Sequence, residues 1–289
     1  MTRHKLNKSY NILYVMKQRR AEKLAKRVYS KQVLKEWGRL IKDPYHQLEL
    51  DTTLHFLKKH LPKKGLILDA GGGPGRYTIE LAKQGYDIVL LDITPENLEF
   101  AKKQIKKAGV EERVKDVIQG SITELSCFPN NKFDAVICVG GPLSHVGSDQ
   151  RARAISELTR VGKKNCPIFI SVMGRFGVIS KAPRYFADEI KIESHFRQMC
   201  FIGDDHKWCG THYCHYFTLA ELKEQLSKKL KIIESVGLEG LATNAESEIN
   251  KLQKDPKAWK NWLEMHNKLC THPTIVDISS HILIIGKKR

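Results

Sequence analysis

The chain has 289 residues, 49 Lys and Arg against 32 Asp and Glu, a formal net charge of +17 and 41% hydrophobic residues. That is enough apolar content to bury a sizeable core in one large domain or two small ones. No apolar run approaches the ~20 residues that span a bilayer, and seven scattered cysteines in contexts such as AVICV exclude a disulfide framework and point to reduced thiols in a cytoplasmic setting.

Charge is concentrated at the amino terminus. Residues 1–31 hold ten Lys and Arg (Arg3, Lys5, Lys8, Lys17, Arg19, Arg20, Lys23, Lys26, Arg27 and Lys31) against Glu22 alone, a net of +9. Such an arm is an electrostatic footprint for RNA or another anionic surface, or a solvated extension that aids solubility. Residues 10–41 have helical spacing, with Ala21, Leu24, Ala25 and Val28 on one face and Val33, Trp37, Leu40 and Ile41 on another. KDPYHQ interrupts the pattern at Pro44, and LELDTTLHFLKKHL resumes it up to Pro62. Residues 1–62 are therefore expected to be a basic helical extension ahead of a main domain over 63–289.

From residue 65 short apolar runs alternate with helical patterns. Strands are expected at 65–70, 87–92, 114–119, 133–139 and 167–172, and helices at 76–85, 95–108 and 149–162. Thr94 and Pro95 have the order of an N-cap and a first helical residue, and Gly109 is placed to end that helix. Strand–helix alternation predicts an α/β fold, a doubly wound and mostly parallel sheet with helices on both faces. Residues 173–213 and 241–271 lack clean periodicity and are expected to be lid or insertion segments. Between them, Thr218 and Glu221 in TLAE form a capping-box signature, followed by a strand over 230–237. The closing SSHILIIGKK brings the strands to seven.

The first strand ends in LDAGGGPG. Ligands bind open parallel sheets at the carboxyl ends of the strands, so this turn is the prime location. Its glycines let a ligand approach the main chain. A dinucleotide fingerprint would need a small residue where this chain has Arg76 or Thr78. Pro74 also removes an N–H that would cradle a pyrophosphate. S-adenosylmethionine has no phosphate, and DAGGGPG fits D-x-G-x-G-x-G without a mismatch.

Residues 65–172 and 214–240 resemble the core of class I, seven-stranded S-adenosylmethionine-dependent methyltransferases. The resemblance implies S-adenosyl-L-methionine as cofactor and a last strand inserted antiparallel between strands five and six. It also implies Asp69 fixing the loop, Gly71, Gly73 and Gly75 facing the methionine portion, and Asp92 accepting from the ribose hydroxyls. Ile93 would lie on the adenine, with Ser121 and Ile122 near its amino group and Gly140 bordering the sulfonium.

The acceptor is less defined. CVGGPLSHV lacks the N/D-P-P-Y pattern of adenine and amide-nitrogen methyltransferases. His145 lies five residues past strand four, as a base or substrate contact or as a cap on the local backbone. His215 and Tyr216, leading into the helix after the insertion, are expected to face substrate. Cys209, His212, Cys214 and His215 crowd into seven residues, whereas tetrahedral metal sites pair separated clusters, so no metal is expected. The carboxy-terminal run resembles the tail of methyltransferases that esterify carboxymethoxyuridine in tRNA. An O or N acceptor on tRNA or another RNA thus stands beside a small metabolite, for which the basic arm would be incidental.

Overall fold

The structure, a computed structural model, describes residues 23–208 and 212–289. The basic residues Arg3, Lys5, Lys8, Lys17, Arg19 and Arg20, with Cys209, lie outside the described residues. The chain runs through α1 (23–29), α2 (Val33–Arg39), α3 (Pro44–His60), β1 (Leu66–Ala70), α4 (Arg76–Lys83), β2 (Asp87–Asp92), α5 (Pro95–Lys107) and β3 (Val114–Gln119). It continues with β4 (Ala135–Cys138), α6 (Arg151–Val161), β5 (Pro167–Met173) and four short helices, α7 (Arg175–Ser180), α8 (Ala182–Tyr185), α9 (Ala187–Ile190) and α10 (Glu193–Phe201). A hairpin of β6 (Asp204–Trp208) and β7 (His212–His215) leads to α11 (Leu219–Ser227) and β8 (Leu230–Gly237). The last elements are α12 (Glu246–Leu252), α13 (Pro256–Leu269), α14 (Pro273–Ile278) and β9 (His281–Lys288).

Seven strands form one sheet in the order β3-β2-β1-β4-β5-β9-β8. The first five are parallel, and β9 lies antiparallel between β5 and β8. Strand order reverses between β1 and β4, so the carboxyl ends of those two strands open a crevice, the position where such sheets bind ligands. The central strands are buried on both faces, which is why they read as near-continuous apolar runs. Leu68, Val136, Ile168 and Ile284 pack on one face with Leu158 and Leu222. Ile67, Ile88, Ile137, Phe169 and Leu283 pack on the other with Phe56 and Leu57 of α3. The described part of the amino-terminal block therefore shares a core with the sheet.

Local chemistry sets the helix ends. Pro44, expected to break a helix, instead starts α3, because the Asp43 carboxylate accepts from the His46 amide at 3.0 Å and Pro at the first position loses no helical hydrogen bond. Gly109, at φ +65°, stops the chain after α5. Thr218 caps α11 by accepting from the Glu221 amide at 3.2 Å, but the Glu221 side chain does not return the bond. It turns instead to His215 at 2.7 Å and Arg175 at 2.7 Å. A hydrogen-bonded and ion-paired chain, Arg151–Asp204–His215–Glu221–Arg175, thereby fastens the hairpin to α6, α7 and α11.

Candidate functional site

The crevice between β1 and β4 widens into a cleft. Its floor is the bare loop Gly71–Pro74. The Gly71 and Gly72 amides both donate to the Leu91 carbonyl, at 2.7 and 3.2 Å, and pull the loop against β2. A methyl group on Gly71 would stand 2.6 Å from the Pro142 ring, and one on Gly72 would stand 2.5 Å from the Asp69 carboxylate. Gly73 and Gly75 have φ of +55° and +84°, conformations that tax any side chain. Side chains are excluded here by packing as well as by the ligand's approach.

Two buried carboxylates frame this loop. Asp69 is fully buried behind it and accepts from the Thr78 hydroxyl at 2.7 Å, while its Oδ1 has no hydrogen-bond partner. Burial, with Asp92 nearby, pushes its pKa up to about 7. Asp92 lines the cleft at the end of β2. Its Oδ2 accepts from the Gly73 amide at 2.9 Å, and Oδ1 accepts from the Thr94 amide at 2.8 Å and from Asn97 Nδ2 at 3.4 Å. Burial raises its pKa and these donors oppose the rise. The carboxylate is aimed before any ligand arrives.

Ile93, Ser121, Ile122, Gly140 and His145 also line the cleft, as do Gly71 and Gly73. Asp69 and Gly75 support the loop without reaching the opening. His145 is held at both ring nitrogens. Its Nδ1 lies 3.1 Å from the Tyr213 carbonyl, which can only accept, so Nδ1 carries the hydrogen. Nε2 then accepts from the Tyr29 hydroxyl at 2.9 Å. Burial pulls the His145 pKa down to about 4, which keeps the ring neutral.

His215 and Tyr216 do not face the cleft. His215 is clamped between Asp204 and Glu221, at 2.6 and 2.7 Å, and Tyr216 is fully buried with its hydroxyl donating to Asp205 at 2.8 Å. Neither residue lines the cleft, because the neighbouring carboxylates engage their polar atoms on the other side of the segment. The Cys/His cluster does not converge among its described members: Cys214 is buried against Met173 while His215 is committed to the two carboxylates.

Other cleft residues carry no motif. Ala25 and Tyr29 of α1 and Glu36, Arg39 and Leu40 of the α2 segment roof the cleft, and Tyr77, Thr94 and Asn97 line it. Arg76 is stacked over Trp37 with its guanidinium 3.6 Å from the ring centre, and tethers α2 to the loop. Asp69, Arg76 and Asn97 each contribute a buried polar atom without a hydrogen bond. Such atoms are rare in folded proteins. Their concentration around one cleft matches a polar ligand.

Residues 67–165 match a family model described as a methyltransferase domain. These residues are a methyltransferase domain. Around it, the chain is 30% identical over 131 residues to a glycine/sarcosine N-methyltransferase of Parasynechococcus marenigrum, covering 45% of either chain. It is 34% identical over 53 residues to the tRNA 5-carboxymethoxyuridine methyltransferase of Escherichia coli, 18% of this chain and 20% of that one. The chain thus spans less than two-thirds of the curated relatives' lengths, 45%, 61% and 39% for the first three. Its fold is also that of Burkholderia thailandensis 1,6-didemethyltoxoflavin-N1-methyltransferase, solved with bound 1,6-didemethyltoxoflavin and S-adenosylhomocysteine. The TM-score is 0.57 at 14% identity, over 94% of this chain and 90% of that one. The methyltransferase domain and its sheet extension therefore have the fold of S-adenosylmethionine-dependent methyltransferases. No helix among the described residues is long and apolar enough to cross a membrane.

Proposed function

We propose that the chain is an S-adenosylmethionine-dependent methyltransferase acting on an O or N acceptor small enough to enter beneath α1 and α2. The observation that carries this reading is the cleft itself: bare glycine backbone, a buried carboxylate aimed by three donors, and unpartnered polar atoms around them. The residues fit the cofactor. Asp92 would accept from the ribose hydroxyls, Ile93 and Ile122 would flank the adenine, and the Ser121 hydroxyl would meet its polar edge. The Gly71–Gly73 main chain would face the methionine portion, with Gly140 beside the sulfur. S-adenosylmethionine, when bound, supplies an electrophilic methyl group on a sulfonium.

The chain's own task is alignment and exclusion of water, which can contribute several kcal/mol to catalysis. Tyr29, Arg39 and Leu40 roof the cleft, and His145 with Tyr29 holds hydrogen-bonding groups at its wall. A ring kept neutral by burial, with a pKa of about 4, is a weak base. His145 therefore suits an acceptor that already has a lone pair at neutral pH, such as an aromatic amine, a ring nitrogen or a carboxylate. A second reading, a carboxylate on a tRNA nucleoside, is favoured by the basic residues of 1–31 and by the short match to the tRNA enzyme.

Transfer of labelled methyl groups into a small-molecule extract and into bulk tRNA tests both. Label in the small-molecule fraction supports the first. Label in tRNA, with salt-dependent binding that is lost on replacing Arg3, Lys5, Lys8, Lys17, Arg19 and Arg20 by Gln, replaces it with the second. No transfer to either, with no heat on adding S-adenosylhomocysteine, defeats the methyltransferase reading.

A further inference from the structure

The segment between β5 and α11, with its four short helices and the hairpin, is held by little apolar surface. Val178, Met199, Cys214 and Tyr216 are its buried cluster, while Ile192, Phe201 and Ile202 are exposed. A unit with so small a core is commonly stapled by a disulfide or a metal ion. The described cysteines are free thiols.

Three side chains from three elements of this segment converge. Glu189 of α9, His195 of α10 and Asp205 of β6 each bring one ligand atom to within 4.8 Å of the others. His195 and Asp205 are buried and Glu189 is half-buried. His195 turns the same atom, Nε2, to both carboxylates, 3.0 Å from Glu189 Oε2 and 3.6 Å from Asp205 Oδ1. One ring nitrogen carries at most one hydrogen, so it bonds to Glu189 and stands only at ion-pair distance from Asp205. An ion at the meeting point would serve all three. Donor atoms around zinc, bound at about 2.0–2.2 Å, stand roughly 3.0–3.6 Å apart. The second Asp205 oxygen accepts from the buried Tyr216 hydroxyl at 2.8 Å, the kind of outer partner that aims a ligating carboxylate.

We propose that Glu189, His195 and Asp205 form a site for one zinc ion, which clips α9 and α10 to the hairpin. Two carboxylates and a neutral imidazole carry two negative charges, and a divalent ion cancels both where burial makes them costly. An imidazole among the ligands suits zinc better than calcium or magnesium, which take oxygen. The site is separate from the cleft and from the Cys209–His215 run, and it bears on the cleft through the hairpin. Asp204, next to Asp205, accepts from the Tyr213 hydroxyl at 2.6 Å, and the Tyr213 carbonyl holds His145. The ion would steady that wall without touching the reacting groups.

The test titrates zinc chloride into the chelator-treated full chain, read by calorimetry and by the thermal midpoint. One ion per chain should bind, and the midpoint should rise with zinc concentration. In Glu189→Gln and in His195→Gln, each lacking one ligand, affinity should fall by about 100-fold or more. Tyr216→Phe, which removes only the hydroxyl behind Asp205, should lower it by about tenfold. Glu189 is half-buried, so Glu189→Gln keeps the test decisive if a change at the buried His195 loosens the fold. Undiminished zinc affinity in Glu189→Gln places the ion elsewhere, at the Cys/His run or at surface histidines, and overturns the proposal. Absence of zinc binding by the unsubstituted chain overturns it as well.

Discussion

The floor and the roof of the cleft are built on different principles. The floor comes from consecutive segments, the ends of β1 and β2 with their loops, and its key carboxylate is held mainly by main chain. Asp92 takes its two shortest bonds from the Gly73 and Thr94 amides. The roof comes from segments far apart in the chain, and side-chain charge holds it: Arg39 on Glu49, Glu49 near His281, His281 on Glu239. Main-chain donors survive most substitutions, whereas a chain of buried charges depends on every member. Substitution in the floor should therefore remove ligand binding from a protein that stays folded. In the roof it should loosen the protein itself.

Asp92→Ala gives the largest expected effect. Two charged hydrogen bonds at about 1.5–3 kcal/mol each correspond to at least a hundredfold weaker S-adenosylhomocysteine binding. Calorimetry reads the loss, and circular dichroism should show the fold retained. A loss under tenfold would mean that the ribose lies elsewhere. Glu49→Ala should do the reverse. Removing one member of a buried ion pair costs about 3 kcal/mol or more, so the thermal midpoint should fall by roughly 10 °C. If ligand affinity drops and the midpoint does not, the division between floor and roof fails.

The same division explains what was legible in the sequence. The floor was readable because local rules govern it: DAGGGPG and the aspartate ending β2 both lie within residues 69–92. The roof was not. Tyr77 looks like one more apolar helix residue, and nothing in the 33–39 pattern marks Arg39 as facing a cleft. Only the fold, which brings both to the cleft and pairs Arg39 with Glu49, reveals them. His215 and Tyr216 went the other way. Their residue types suggest substrate contact, but strand alternation does not say which side faces the cleft, and Asp204, Glu221 and Asp205 occupy their polar atoms. Residues 173–213 lacked periodicity because helices of four to nine residues are too short to display it. Pro44 misled because a proline after an N-capping aspartate begins a helix as readily as it interrupts one.

A pH-dependent effect concerns Asp69, the floor carboxylate buried behind the loop. Its folded pKa, about 7, lies above the ordinary 3.8, so the folded state holds a proton that the unfolded chain releases. Below pH 4 both states are protonated and the group is neutral toward folding. From about pH 4 to pH 7 stability should fall, and above pH 7 the deficit should level off. Asp69→Asn keeps an acceptor for Thr78 and cannot ionise. Its advantage over the unsubstituted protein should therefore grow across that window by several kcal/mol, read by denaturant melts at pH 4.5, 6 and 8. A constant difference across the three values would mean that Asp69 ionises freely in the folded protein.

The smallest expected effect falls on His145, where floor and roof meet through Tyr29 and the Tyr213 carbonyl. A general base contributes 10²–10⁴-fold, whereas a neutral ring that only orients an acceptor is worth about tenfold. Burial holds His145 near pKa 4, below any working pH, so its protonation state does not change between pH 5.5 and 8. His145→Phe should therefore lower kcat by about tenfold or less, leave S-adenosylhomocysteine affinity unchanged, and leave the shape of the kcat–pH profile unaltered. A thousandfold loss, or removal of an ionisation near neutrality, would make His145 the base. The burial that keeps the ring neutral would then have to be relieved when acceptor binds, which a shift of the His145 imidazole signals on acceptor titration would reveal.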